Sequence, residues 1–92
     1  MEVVLGELEE CIPAPGLVED QLKLKDLTFA IRAFLNTQNV REQNIFLRRY
    51  FFMEETEVIS VRYHMRPDAV RRSLSRTRAK LKNYLTQEGY AI

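Results

Sequence analysis

Val70, Leu74, Thr77, Leu81 and Leu85 recur at intervals of four, three, four and four residues. This is the spacing of one helix face, and it predicts a helix from Pro67 to about Gln87. Pro67 suits its first position, where no backbone N–H is needed, and Gly89 supplies the stop. Upstream, Leu27, Ile31, Phe34 and Leu35 form a second stripe, which predicts a helix from near Val18 to about Asn36. Glu19 and Asp20 fall in its first turn, where the helix dipole favours negative charge. The polar run Asn36-Thr37-Gln38-Asn39 breaks that pattern. Asn39 can then cap a helix over roughly 40–52, with Glu42 as its capping-box partner. Ile45, Phe46, Arg49, Tyr50 and Phe52 give that helix an aromatic face. Glu54, Glu55 and Thr56 open a short helix to about Tyr63, with Val58, Ile59 and Tyr63 as its candidate apolar positions. A tight turn over His64–Arg66 follows, because the residue before a proline is biased away from helix.

Residues 1–16 offer no comparable register, and Pro13-Ala14-Pro15-Gly16 is a breaker cluster. They are expected to be a linker or tail, with the domain proper over 17–92. The expected fold is all-α: a small bundle of four helices ending in a helix–turn–helix. Ninety-two residues allow one domain with a modest core.

Charge sharpens this picture. Residues 1–40 hold three basic residues against seven acidic ones, whereas 41–92 hold eleven against six. Residues 62–82 hold eight basic residues against Asp68 alone. A near-neutral chain with one strongly basic segment points to a local anionic partner. At about 100° per residue, Asp68, Arg72, Ser75, Arg76, Ala79 and Asn83 lie opposite the Val70–Leu85 stripe. Arg71 and Lys82 flank this outer face, and Arg78 lies nearer the core edge. Arg72 and Arg76 sit one turn apart beside the small residues Ala69, Ser73, Ser75 and Ala79. Small side chains permit close approach to a major groove, and arginine can bond guanine bidentately. The expected base-reading set is Asp68, Ala69, Arg72, Ser75 and Arg76. Arg66, Arg71, Arg78, Lys80 and Lys82 are expected on phosphates.

The remaining chemistry is sparse. Cys11 is the lone cysteine, so no internal disulfide is possible, and a reducing cytoplasmic setting is expected. No signal peptide and no membrane span are read in the chain. His64 is a lone histidine in a turn, so no metal site is expected. No catalytic constellation or phosphate loop stands out, so neither enzymatic activity nor a cofactor is expected. The aromatic run Tyr50-Phe51-Phe52 belongs mainly to the core, with part of it available as a partner-binding surface.

Three stretches together resemble a known pattern. They are Ile45-Phe46-Leu47-Arg48-Arg49-Tyr50, then Val58-Ile59-Ser60, then Val70-Arg71-Arg72-Ser73-Leu74-Ser75-Arg76-Thr77-Arg78-Ala79-Lys80-Leu81. The chain over about 27–90 resembles region 4, the C-terminal promoter-reading domain of bacterial sigma-70-family RNA polymerase sigma factors. The Val-x-x-x-Leu-x-Arg-x-Arg-x-x-Leu spacing from Val70 to Leu81 is its most specific part. The ending Tyr84-Leu85-Thr86-Gln87-Glu88-Gly89-Tyr90 is similar to sigma-like proteins of Gram-positive bacteria, and Ile12–Gly16 resembles the linker before their domain. The resemblance implies that the last helix recognises the −35 element of double-stranded promoter DNA. It also implies docking on the β flap of the RNA polymerase core, and an anti-sigma factor is a further implied partner. An upstream core-binding domain is not in this sequence, so a C-terminal fragment or a stand-alone relative is expected. Several positions depart from the pattern. Val58-Ile59-Ser60 replaces Glu-Ile-Ala, His64 replaces a turn glycine, Arg66 replaces a small capping residue, and Gln38-Asn39 replaces Leu-Pro. Two other readings fit the same residues. One is a non-sigma helix–turn–helix transcriptional regulator. The other is an interaction module that binds the flap or an anti-sigma partner without reading DNA.

Overall fold

A computed structural model of the chain describes residues 2–13 and 21–92. Among these residues there are five helices: α1 (Glu2–Leu8), α2 (Gln21–Asn36), α3 (Val40–Tyr50), α4 (Thr56–Arg62) and α5 (Pro67–Gln87). No strand occurs among the described residues. The all-α class expected from the periodicity is the one found. The expected start of α2 near Val18, its acidic first turn at Glu19 and Asp20, and the boundary at residues 16 and 17 lie outside the described residues, as do Ala14, Pro15 and Gly16.

The longest helix among the described residues, α5, packs against α2, α3 and α4. Val70, Leu74, Thr77, Leu81 and Leu85 are all buried on its inner face, as their spacing predicts. Each fully buried Val or Leu contributes roughly 1.5–3 kcal/mol relative to exposure. Thr77 belongs on this face because its hydroxyl donates to the Ser73 carbonyl (2.9 Å) and leaves only its methyl to pack. Opposite lie Leu27, Phe34 and Leu35 of α2 and Ile45, Phe46 and Tyr50 of α3. The Phe34 ring meets Tyr84 of α5 at 5.7 Å between centroids.

Local signals set most helix ends. Asn39 caps α3 by accepting from the Glu42 N–H at 2.8 Å, with extended backbone angles. The reverse half of the expected capping box is not formed. At the other end, α3 stops at Tyr50 rather than 52. The N–H groups of Phe51 and Phe52 both donate to the Leu47 carbonyl, and Met53 then adopts φ +58°. Phe52 is therefore off the α3 face and exposed. In α4, Ile59 is fully buried and Tyr63 at its C-cap packs partly against the core, while Val58 is 47% exposed, so Val58 is the expected apolar position that does not face the core. The last helix ends as expected: Gly89 takes φ +98°, and the Tyr90 N–H donates to the Leu85 carbonyl.

The first residues correct the sequence reading. Residues 2–13 are not a tail. Helix α1 packs against α3, and Val4, Cys11 and Pro13 are buried. Leu8 and Ile12 are partly buried against the same core. Val4, Leu8, Cys11 and Ile12 are spaced i, i+4, i+7 and i+8, which is itself a helical stripe. Helix α1 ends in bonds from the Cys11 and Ile12 N–H groups to the Leu8 carbonyl. Among the described residues the bundle therefore has five helices rather than four.

Candidate nucleic-acid interface

The helix–turn–helix is α4, the turn over Tyr63–Arg66, and α5. The turn is a Schellman closure. The Met65 N–H donates to the Ser60 carbonyl (2.9 Å) and the His64 N–H to the Val61 carbonyl (3.4 Å). His64 takes φ +54°, the left-handed position that glycine fills more easily. Met65 then packs against the core and fixes the exit angle. Pro67 takes the first helical position of α5, and Arg66 at the N-cap makes no side-chain capping bond. Across the motif, Arg71 donates to Glu57 of α4 (2.9 Å) and to Asp68 one turn earlier (2.9 Å). The Glu57 carboxyl lies below its ordinary range, held by a backbone hydrogen bond, the Thr56 hydroxyl and the Arg71 charge.

The outward face of α5 follows the phasing. Asp68, Arg72, Ser75, Arg76 and Ala79 are exposed, and Ala69 is half-buried at the edge. Ser73 is buried and belongs to the core, not to the outer face. No carboxylate pairs with Arg66, Arg72, Arg76, Lys80 or Lys82 among the described residues, and all five are exposed. Their charges stand free for an anionic ligand.

Two cations expected on phosphates are occupied within the protein. Arg71 bridges Asp68 and Glu57, though half its side chain remains exposed. Arg78 turns inward instead of reaching outward. Its guanidinium donates to the Tyr50 hydroxyl, which donates in turn to the Glu7 carboxylate (2.8 Å), and Arg78 lies 3.6 Å from Glu7 itself. Rotation angles on α5 cannot reveal this, because the acceptors come from α1 and α3. The same carboxylate takes two bonds from the buried Arg49, at 2.7 and 3.4 Å, and Arg49 also donates to the Glu54 carbonyl (3.0 Å). Burial pushes the Glu7 carboxyl up, but bonds from Arg49 and Tyr50 and the charges of Arg49 and Arg78 outweigh it. The carboxyl is held below its ordinary value. Burial, then the bond to Glu7, pushes the Tyr50 phenol up.

The expected partner surface Tyr50-Phe51-Phe52 divides. Tyr50 is buried with its hydroxyl committed, so it is a structural residue that only lines the floor of a groove. Phe51 and Phe52 are exposed at 72% and 56% and stack edge-on at 5.2 Å. The Arg48 guanidinium sits 5.0 Å over the Phe52 ring. With Phe29, Leu47 and Phe46 these rings line an open, mainly apolar groove of about 960 Å³ between α2 and α3. Phe29 is 67% exposed and was not anticipated, although it lies on α2 opposite the Leu27–Leu35 stripe. An aromatic residue on the face that also carries Lys25, Arg32 and Asn36 is the signal that marks it.

Burial also pushes the Cys11 thiol up to about 11, which keeps it protonated and unreactive. No group of three or more His, Cys, Asp and Glu residues able to hold a metal occurs among the described residues. No helix there is long and apolar enough to cross a membrane. Comparison of the chain with family models, curated proteins and solved structures finds no match.

Proposed function

We propose that this chain is a promoter-recognition domain of the sigma-factor type, a binding protein rather than an enzyme. In this reading α5 lies in the major groove of the −35 element. Arg72 and Arg76 read base edges, with Asp68, Ala69 and Ser75 beside them. Arg66, Lys80 and Lys82 meet phosphates and add a salt-dependent term that carries no sequence information. The aromatic groove around Phe51 and Phe52 docks on the β flap of RNA polymerase, or receives an anti-sigma factor, in the cytoplasm.

One observation carries the proposal. Arg72 and Arg76 project one turn apart, without partners among the described residues, from a helix presented by a closed helix–turn–helix. An exposed guanidinium in a folded chain often pairs with a neighbouring carboxylate, as Arg48, Arg62 and Arg71 do here. The unpaired arginines face outward beside small residues, which is what close approach to base edges requires.

Fluorescence anisotropy with promoter-like and scrambled duplexes across a salt series tests it. The expected result is tighter binding to one duplex family, with affinity falling steeply as salt rises. Equal affinity for every sequence would leave only electrostatic attraction. Absence of binding at low salt would favour the second reading, an interaction module that binds through the groove. The exposure of Phe29, Phe51 and Phe52 is the observation behind that alternative.

A further inference from the structure

We propose that Glu7 is an intramolecular competitor of DNA phosphate at Arg78. The inference rests on the reading of α5 as the DNA-contacting helix.

Arg71, Arg78 and Lys82 project from α5 within about 40° of one another, on the flank beside the outward face. Lys82 is exposed and has no carboxylate partner among the described residues, yet Arg78 on the same flank is drawn back by Tyr50 and Glu7. A carboxylate offers a guanidinium the same anionic acceptor oxygens as a phosphate does. Glu7, directly and through the Tyr50 hydroxyl, thus holds inward a guanidinium that a duplex phosphate could otherwise engage.

The contact is built to exchange. Arg78 and Glu7 sit at the rim, with side chains 22% and 27% exposed. Moving Arg78 from one acceptor to another requires only side-chain rotation. Arg49, which is buried, keeps the Glu54 carbonyl as an independent acceptor when Glu7 shifts. Charge supports the pairing as well: residues 1–13 contain four glutamates and no basic residue, and Glu7 among them reaches Arg78 of the cation-rich α5. Helix α1 has seven residues, too few to persist alone in water, so it is held in place by the packing of Val4 and Cys11 rather than by its own bonds.

The consequence is that the chain binds duplex DNA less tightly than its cations permit. Anisotropy titrations of the full chain with one duplex, over a salt series, read this directly. Glu7→Gln keeps the size and part of the hydrogen bonding, and is expected to bind about threefold to tenfold tighter. The salt slope should steepen by about 0.9, the increment for one more phosphate contact. Glu9→Gln removes the same charge from an exposed neighbour and should change little. Adding Arg78→Ala to Glu7→Gln should abolish the gain. Circular dichroism checks folding, and if Glu7→Gln does not fold, Arg78→Ala alone tests the same point: with Arg78 held by Glu7 it should change duplex affinity and salt slope far less than Lys82→Ala does, and an equal loss overturns the competitor. A wild-type chain that binds duplex while Glu7→Gln binds no better than Glu9→Gln overturns the competitor alone. A gain that survives Arg78→Ala does the same. Failure of every variant to bind at low salt overturns both this inference and the DNA-contacting role of α5.

Discussion

The Arg49 guanidinium reaches the Glu7 carboxylate at 2.7 Å, across 42 positions of sequence, and this contact ties α1 to α3. Folding lowers the pKa of Glu7, so the unfolded chain binds the proton more readily than the folded one. The stabilisation is complete above the ordinary carboxylate value of 4.5 and is lost as pH falls through the lower folded value. Hydrogen bonds to charged groups contribute about 1.5–3 kcal/mol, and the rim position of Glu7 favours the low end. Thermal unfolding from pH 7 to 3 should therefore show an acid loss that Glu7→Gln reduces. Superimposable pH profiles for the two proteins would refute the assigned role of this carboxylate.

The turn of the helix–turn–helix holds a second measurable quantity. His64 occupies a left-handed position at φ +54° that costs a side chain about 1 kcal/mol and costs glycine little. His64→Gly should stabilise the domain by about 0.5 kcal/mol, after the greater freedom of glycine in the unfolded chain is deducted. His64→Val should destabilise it by more than about 1 kcal/mol, because β-branched residues fit this region worst. Urea midpoints at constant slope check both. A glycine variant less stable than wild type would mean that the imidazole makes a contact that offsets the strain.

The difference between what the sequence disclosed and what it hid follows from locality. Helix α5 could be placed from Val70, Leu74, Leu81 and Leu85 because its period persists through 21 residues and its ends carry Pro67 and Gly89. The cap at Asn39 was equally local. Helix α1 has the same spacing over Val4, Leu8, Cys11 and Ile12, but only seven helical residues and a glycine at position 6. Its formation depends on a surface of α3 that lies about 40 residues away. The candidate site divides in the same manner. Outward exposure of Arg72 and Arg76 follows from phase alone. The inward turn of Arg78 depends on Tyr50 and Glu7, and no helical wheel of α5 contains either.

The groove between α2 and α3 allows the partner surface to be separated from DNA binding. Phe51 and Phe52 are exposed and project away from the core, so their truncation should change stability by no more than about 0.5 kcal/mol. A Phe51→Ser, Phe52→Ser double variant should keep the duplex affinity of wild type and lose most of its affinity for an isolated flap domain. Two exposed aromatic anchors at an interface commonly account for about 2 kcal/mol or more, a loss of at least tenfold. Calorimetry with the flap domain measures it. Unchanged flap binding would place the docking surface elsewhere.

Arg72 and Lys82 separate base reading from charge attraction. Arg72 is exposed in the middle of the outward face with no partner among the described residues, and Lys82 is exposed on the flank about 15 Å further along the helix axis. A bidentate arginine contributes about 1–3 kcal/mol of discrimination at its base pair. Arg72→Ala should therefore narrow the gap between preferred and scrambled duplexes by about fivefold or more. Lys82→Ala should weaken every duplex alike and lower the salt slope by about one. Both variants alter surface positions, so their unfolding midpoints should match wild type, which confines the effect to binding. Should Arg72→Ala weaken all duplexes equally, the guanidinium meets phosphate, and the reading face of α5 must be rotated toward Arg76 and Ala69.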